Sequence, residues 1–250
     1  MTRSGRWAGT ALLVPLLAAG CGAAAPHATA ATTAGGTPGP AEVRVVAVGD
    51  SITEMDSPDF DAGDVDQSSW AWWAAGNGVD VLGGWAHSGA TTADALAEVQ
   101  PMQADAVVVM LGNNDIDWTV PTRTVLDHLV AIADVVGVPR VVLSAVAPED
   151  GLGPEVADLN DALAGLAARQ GWQFVDPMTD VRDQDGDYRA GTTLDGVHPT
   201  EEASARIGVA LHEAVLDPDD VSVPAPSPVP GPATDRPDDA ADVGPPEQTA

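Results

Sequence analysis

Two short stretches of this sequence hold residue types that could carry out acyl transfer together. One is Gly49-Asp50-Ser51-Ile52-Thr53, which ends the apolar run Val43-Arg44-Val45-Val46-Ala47-Val48. The other is Asp195-Gly196-Val197-His198-Pro199, far along the chain. A serine hydroxyl is a weak nucleophile until a base takes its proton. His198 can be that base. Asp195, three residues before it, can fold back to hold one ring nitrogen and fix the tautomer. Attack on a carbonyl creates an oxyanion, which needs hydrogen-bond donors. The backbone N–H of Ser51, the backbone N–H of Gly89 (in Ser88-Gly89) and the side-chain amide of Asn114 (in Gly112-Asn113-Asn114-Asp115) can supply them. Asp50, next to the serine, is a supporting residue. Taken alone, Gly49-Asp50-Ser51 could equally be a turn in which Ser51 only caps a helix, so the surrounding elements have to decide.

Those elements alternate. The run ending at Val48 reads as a buried strand, because it is β-branched and stopped by glycine. Ser51-Ile52-Thr53-Glu54 can open a helix. Trp70-Ala71-Trp72-Trp73 reads as a helix packed on the sheet, with room for one of its indoles at the site rim. Val79-Asp80-Val81-Leu82 is a short second strand, followed by Gly83-Gly84 and a loop that runs to Thr92. Thr91 or Thr92 caps a helix carrying Leu96 and Val99, which Pro101 stops. Residues 104–111 form the clearest strand. Val125, Leu129, Ile132 and Val136 then mark a helix that Gly137 ends. Residues 140–146 are a fourth strand. Val156, Leu159, Leu163 and Leu166 mark the helix after Pro154, which ends at Gly171, and residues 172–176 are a fifth strand. The last helix is expected to begin at His198-Pro199-Thr200-Glu201, with Pro199 in its first turn and Ile207, Leu211 and Val215 as its buried stripe.

Alternating strands and helices predict an α/β fold with a parallel sheet covered on both faces. A five-stranded, flavodoxin-like order is the default. In such sheets ligands lie at the carboxyl ends of the strands, where all the polar turns named above should gather. Backbone N–H groups at a helix start there point at whatever binds.

Four motifs in this order resemble the SGNH (GDSL-type) hydrolases. Gly49-Asp50-Ser51-Ile52-Thr53 is similar to the family's nucleophile motif, and Gly89 to its oxyanion glycine. Gly112-Asn113-Asn114-Asp115 is similar to G-x-N-D, with Asn114 as the oxyanion asparagine. Asp195-Gly196-Val197-His198-Pro199 is similar to the closing D-x-x-H-P. The resemblance covers most of residues 42–216. It implies a three-layer α/β/α sandwich and ester hydrolysis without a metal or other cofactor. An α/β-hydrolase elbow, G-x-S-x-G, would need glycine where Thr53 stands.

Other candidates read more plainly. Residues 59–66 are acidic but lack the register and final glutamate of a calcium loop. Residues 183–187, Asp-Gln-Asp-Gly-Asp, are better suited to a turn than to a metal. His87 could be a base, but a structural or rim role fits it better.

The chain has 250 residues, with 10 Lys+Arg against 38 Asp+Glu and a formal net charge of -28. That excludes nucleic acid as an expected partner, because little could neutralise phosphates. Residues 1–20 have a basic start (Arg3, Arg6) and then a short apolar run, as a secretory signal does. The run is shorter than the ~20 apolar residues a spanning helix needs. Cys21, the only cysteine, follows Leu17-Ala18-Ala19-Gly20 in a pattern that resembles the lipobox of bacterial lipoproteins. Lipidation of Cys21 would hold the protein on the outer side of the membrane surface. Residues 21–41 read as an Ala/Thr/Gly/Pro tether and residues 42–216 as the folded domain. Residues 217–250 contain eight acidic residues, one basic residue and many prolines, the composition of a disordered tail.

The expected function is an extracytoplasmic serine esterase, acting on a small-molecule or glycan ester with a short acyl group such as acetyl. The same site could transfer the acyl group to another acceptor. The rival from a different class is a non-catalytic surface module that binds a glycan or peptide. No coiled-coil pattern is present, so a monomer is the default.

Overall fold

A computed structural model describes residues 42–218. The expected signal, the lipidated Cys21, the tether and nearly all of the expected tail lie outside the described residues. Among the described residues no helix is long and apolar enough to cross a membrane.

The chain runs β1 (Val43–Gly49), α1 (Ser51–Glu54), α2 (Trp70–Ala74), β2 (Val79–Ala86), α3 (Thr92–Glu98) and β3 (Ala106–Met110). It continues α4 (Asn113–Asp117), α5 (Thr122–Val136), β4 (Val141–Ser144), α6 (Gly153–Gln170), β5 (Gln173–Val175) and α7 (Glu201–Leu216). The five strands pair in parallel in the order β2-β1-β3-β4-β5. This is the flavodoxin-like order expected as the default.

Continuous apolar strands need cover on both faces, because successive side chains point to opposite sides. Val46 and Val48 of β1 and Val107 and Val109 of β3 join one buried cluster, with Leu129 and Ile132 of α5 and Leu159 and Leu163 of α6. Val45 and Ala47, with Val108 and Met110, join the other, where Trp70 of α2 and Ile207, Leu211 and Val215 of α7 pack. The alternation of one strand's residues between two cores is what makes the molecule three-layered.

Helix ends follow local chemistry. Thr91 caps α3 in a capping box with Asp94, and glycines in the left-handed region end α5 and α6. β3, β4 and β5 are each shorter than expected, residues 113–117, which overlap the expected polar turn, form the short α4, and two further boundaries differ. β2 does not stop at Leu82 but runs on to Ala86. Its glycines form a bulge, and the β1 register shifts between Val45 and Ala47. Gly84 has φ +148°, and a Cβ there would lie 2.0 Å from the Ala47 carbonyl oxygen, so no larger residue fits. The last helix starts at Glu201, not in the His198-Pro199 turn. The Thr200 hydroxyl accepts the Ala203 N–H and caps it, while Pro199 bridges to Thr193 outside the helix.

In this strand order the chain turns one way from β1 to β2 and the other way from β1 to β3. The carboxyl ends of β1 and β3 therefore flank the crevice where such sheets hold ligands. Ser51 follows β1 there, and Asn114 follows β3.

Candidate active site

Asp50 is extended and caps α1, its Oδ1 accepting the Ile52 N–H at 3.0 Å. It is buried, and its Oδ2 has no partner. Burial pushes its pKa up to about 7, against the lowering effects of the Ile52 N–H and of His198. The turn it builds is close-packed. A Cβ on Gly49 would lie 2.1 Å from Thr53 Oγ1, so glycine is needed before the serine. Thr53 in turn accepts the Trp70 indole N–H at 3.1 Å, and its carbonyl accepts the Ser69 hydroxyl at 2.6 Å.

Ser51, the first residue of α1, places its Oγ 2.9 Å from His198 Nε2. His198 Nδ1 is 2.9 Å from Asp195 Oδ2. The other Asp195 oxygen accepts the N–H groups of Val197 at 3.0 Å and His198 at 2.8 Å. These backbone and side-chain bonds from His198 hold the Asp195 carboxyl down at about 2. An ionised Asp195 accepts a hydrogen bond from Nδ1–H, which leaves Nε2 as an acceptor for the serine hydroxyl.

The loop is braced from below. The His198 carbonyl accepts the Leu194 N–H and the Thr193 hydroxyl, both at 2.8 Å. The Asp150 N–H donates to the Gly196 carbonyl at 2.8 Å, and the buried Tyr188 donates its hydroxyl to the Val197 carbonyl at 3.0 Å.

Gly89 lies in the left-handed region at φ +76° with open space where a Cβ would stand, so conformation rather than room calls for glycine. Asn114 donates one amide hydrogen to the Ala90 carbonyl at 2.9 Å, and its second N–H remains for another acceptor. Asn114 and Gly89 thus belong to one hydrogen-bonded unit at the ends of β3 and β2, on either side of Ser51. Asp115 secures α4 to α3 by accepting the Thr92 N–H at 2.8 Å and hydroxyl at 2.6 Å.

The remaining candidates fall elsewhere. His87 pairs with Asp61 at 3.3 Å and packs against the Trp85 ring. Trp70 is buried beneath α1 and Trp72 is exposed on the surface. The exposed indole one turn after Asn114 is instead Trp118, which the periodicity did not single out. The acidic loops are turns. Asp59 Oδ1 accepts the Ala62 N–H, Asp183 Oδ1 accepts the Asp185 N–H, and the Asp183 N–H donates to the Asp187 carbonyl.

Two groups near the site gave no motif signal. Glu149 is buried after β4, with Oε2 unpartnered. Burial, and then the neighbouring Asp117 carboxylate, push its pKa up to about 7, while the charge of His198 acts the other way. Glu54 accepts two hydrogen bonds from Ser88. A carboxyl after an apolar strand, or at a helix's third residue after a nucleophile, is visible in sequence only as a lone acidic residue.

No curated protein matches the chain. Among solved structures, a catalytic mutant of an acetylxylan esterase from Geobacillus stearothermophilus matches with TM-score 0.58 at 18% identity, over 70% of this chain and 95% of that one. A GDSL-like lipase from Bacteroides thetaiotaomicron matches with TM-score 0.52 at 19% identity, over 70% and 88%. These likenesses establish a shared fold. The model of the GDSL-like lipase/acylhydrolase family matches residues 47–206, a span that takes in Ser51, Gly89, Asn114, Asp195 and His198. The chain belongs to the GDSL-like lipase/acylhydrolase family and is a hydrolase.

Proposed function

We propose that this protein is an extracytoplasmic serine esterase that hydrolyses carboxylic esters with short acyl groups, such as acetyl. The observation that carries the reading is the unbroken chain Ser51 Oγ–His198 Nε2 and His198 Nδ1–Asp195, each link 2.9 Å. In the proposed reaction Ser51 Oγ attacks the ester carbonyl carbon while its proton passes to His198 Nε2. The carbonyl oxygen becomes an oxyanion, received by the N–H groups of Ser51 and Gly89 and the Asn114 amide. The intermediate collapses, the C–O bond to the alcohol breaks, and His198 returns the proton to the leaving oxygen. Water then attacks the acyl-serine with His198 again as base, which releases the acid and restores Ser51.

Asp195 stays ionised and stabilises the imidazolium at each step. A short acyl group is favoured because the loops around the site carry few long apolar stretches. The acetylxylan esterase among the fold neighbours is consistent with an acetyl ester on a sugar.

The test is hydrolysis of p-nitrophenyl esters from acetate to palmitate by the protein beside its Ser51→Ala variant. Serine-dependent release that is fastest for acetate is expected. An unchanged rate in Ser51→Ala overturns the mechanism, and faster release from long-chain esters overturns the acyl preference. The extracytoplasmic part of the proposal rests on the sequence around Cys21. Fatty-acid labelling of the membrane fraction that persists in Cys21→Ala would overturn the anchor.

A further inference from the structure

We propose that Glu54 is a positioning residue for the oxyanion-binding loop, an assignment that rests on the esterase reading above. Three donors must converge on one oxygen, yet they come from three separate segments: α1, the loop after β2, and α4. Their positions have to agree to within a few tenths of an ångström, because a donor is useful only at about 2.7–3.1 Å from the developing charge. Nothing in the sheet hydrogen bonding sets the spacing between α1 and the loop after β2, since both lie beyond the ends of their strands.

Glu54 supplies that link. It is the last residue of α1, and residues three apart on a helix lie on the same side, so it stands one turn from Ser51. Its Oε2 accepts both the Ser88 N–H at 2.7 Å and the Ser88 hydroxyl at 2.5 Å. The next peptide carries the Gly89 N–H. The turn is closed behind it by the Ala90 N–H on the His87 carbonyl at 3.1 Å, and Ala90 is held in turn by Asn114 at 2.9 Å. Gly89 therefore sits between two pinned residues. One is tied to the helix that bears the nucleophile, the other to the helix that bears the amide donor.

The pinning is needed because of Gly89 itself. At φ +76° it has no Cβ and nothing within 4 Å of where one would be, so it does not fix its own peptide orientation. Glu54 makes both bonds through one charged oxygen, and charge-assisted bonds of this kind are stronger than neutral ones.

The experiment compares the full chain with Glu54→Ala, Glu54→Gln, Ser88→Ala and Ser51→Ala. It measures p-nitrophenyl acetate kcat and KM, the rate of labelling by a fluorophosphonate, and the melting temperature. Displacing a donor should cost less than the roughly 10²–10³-fold lost on removing one. Glu54→Ala is therefore expected to lower kcat and the labelling rate about 10- to 100-fold, with KM and melting temperature nearly unchanged. Glu54→Gln keeps an oxygen that can accept both bonds and should recover most of the rate. Ser88→Ala keeps its N–H bond and should lose less than Glu54→Ala. A Glu54→Ala kcat equal to the parent overturns the assignment. So does a loss confined to KM, or one that tracks melting temperature without rescue by glutamine. If the unaltered chain shows neither serine-dependent turnover nor labelling, the esterase reading fails, and the assignment falls with it.

Discussion

Asp195→Asn isolates the electrostatic part of the proposed triad. The substitution preserves the loop, because an asparagine Oδ1 can still accept the N–H groups that Asp195 takes from Val197 and His198. It changes the other end. An amide NH₂ facing His198 Nδ1 turns that nitrogen into an acceptor and moves the ring hydrogen to Nε2. Nε2 then donates to Ser51 Oγ and cannot take its proton. The negative charge that stabilises the imidazolium is also lost. For a carboxylate about 4 Å from the ring, that charge is worth about 4 kcal/mol at an effective dielectric constant of ~20, and about half that at ~40.

The Asp195 side chain is 54% exposed, so the weaker figure is the better starting point. Adding a further ~1–2 kcal/mol to recover the working tautomer gives about 3–4 kcal/mol, or a loss of about 10²–10³ in kcat. That is less than the ~10⁴ typical of a buried triad aspartate. Stability should fall by less than about 1 kcal/mol, because the pair is solvent-screened. Steady-state p-nitrophenyl acetate hydrolysis with a thermal melt reads both quantities. A kcat within tenfold of the parent would refute the role of Asp195. A melting temperature lowered by many degrees would refute the claim that asparagine keeps the turn.

Asn114→Ala is expected to lower kcat about 10²–10³-fold with KM little changed, and a loss in KM alone would contradict its donor role. Gly208→Ala should destabilise by about 1–3 kcal/mol in a thermal melt, although alanine is the better helix former by ~1 kcal/mol. A Cβ there would lie 2.3 Å from the Trp70 carbonyl oxygen and 2.6 Å from Trp73 Cβ, where α7 crosses α2; a raised melting temperature would sink this account. The pH dependence of stability has a definite sign. Asp50 and Glu149, both pushed up to about 7, keep protons that the unfolded chain gives up near its ordinary carboxyl range around 4. Stability should therefore fall as pH rises from about 4 to about 7 and level off above. Asp195, held down at about 2, acts the other way, its contribution present above about 4 and lost towards 2. Urea melts at pH 4.5 and 7.5 should show a smaller difference in Asp50→Asn than in the parent. Self-repulsion in a chain of net charge -28 adds the same trend to both, so an equal difference in the two proteins would refute the buried-acid explanation.

The sequence made the strands legible because their signals are short-range; it left the sheet order as a flavodoxin-like default, and it joined Ser51 to His198, 147 residues away, only through motifs expected at one sheet edge. β-Branched runs, glycine stops and helical spacing are local. What stayed hidden depends on partners distant in sequence. Gly83 and Gly84 look the same in a bulge as in a turn until Phe60 and Gly63 are placed against the first and Ala47 of the neighbouring strand against the second. Thr200 and Pro199 both suit a helix start, and only the bridge of Pro199 to Thr193 decides between them. Glu54 reads as an ordinary helical glutamate, since the Ser88 it holds lies 34 residues away.

The choice of carboxylate for His198 depends on environment in the same way. Asp50, Glu149 and Asp195 all act electrostatically on or through His198, and sequence alone ranks them only by motif. Burial separates them. Asp50 and Glu149 each keep one oxygen buried and unpartnered, and both are driven towards the neutral acid near pH 7. Asp195 is open to solvent and satisfied by two backbone N–H groups, so it is fully ionised there. Only a group already charged can stabilise the imidazolium without first losing a proton of its own. In this strongly acidic chain, burial of Asp50 and Glu149 and exposure of Asp195 are what separate the one carboxylate fit to serve His198 from its acidic neighbours.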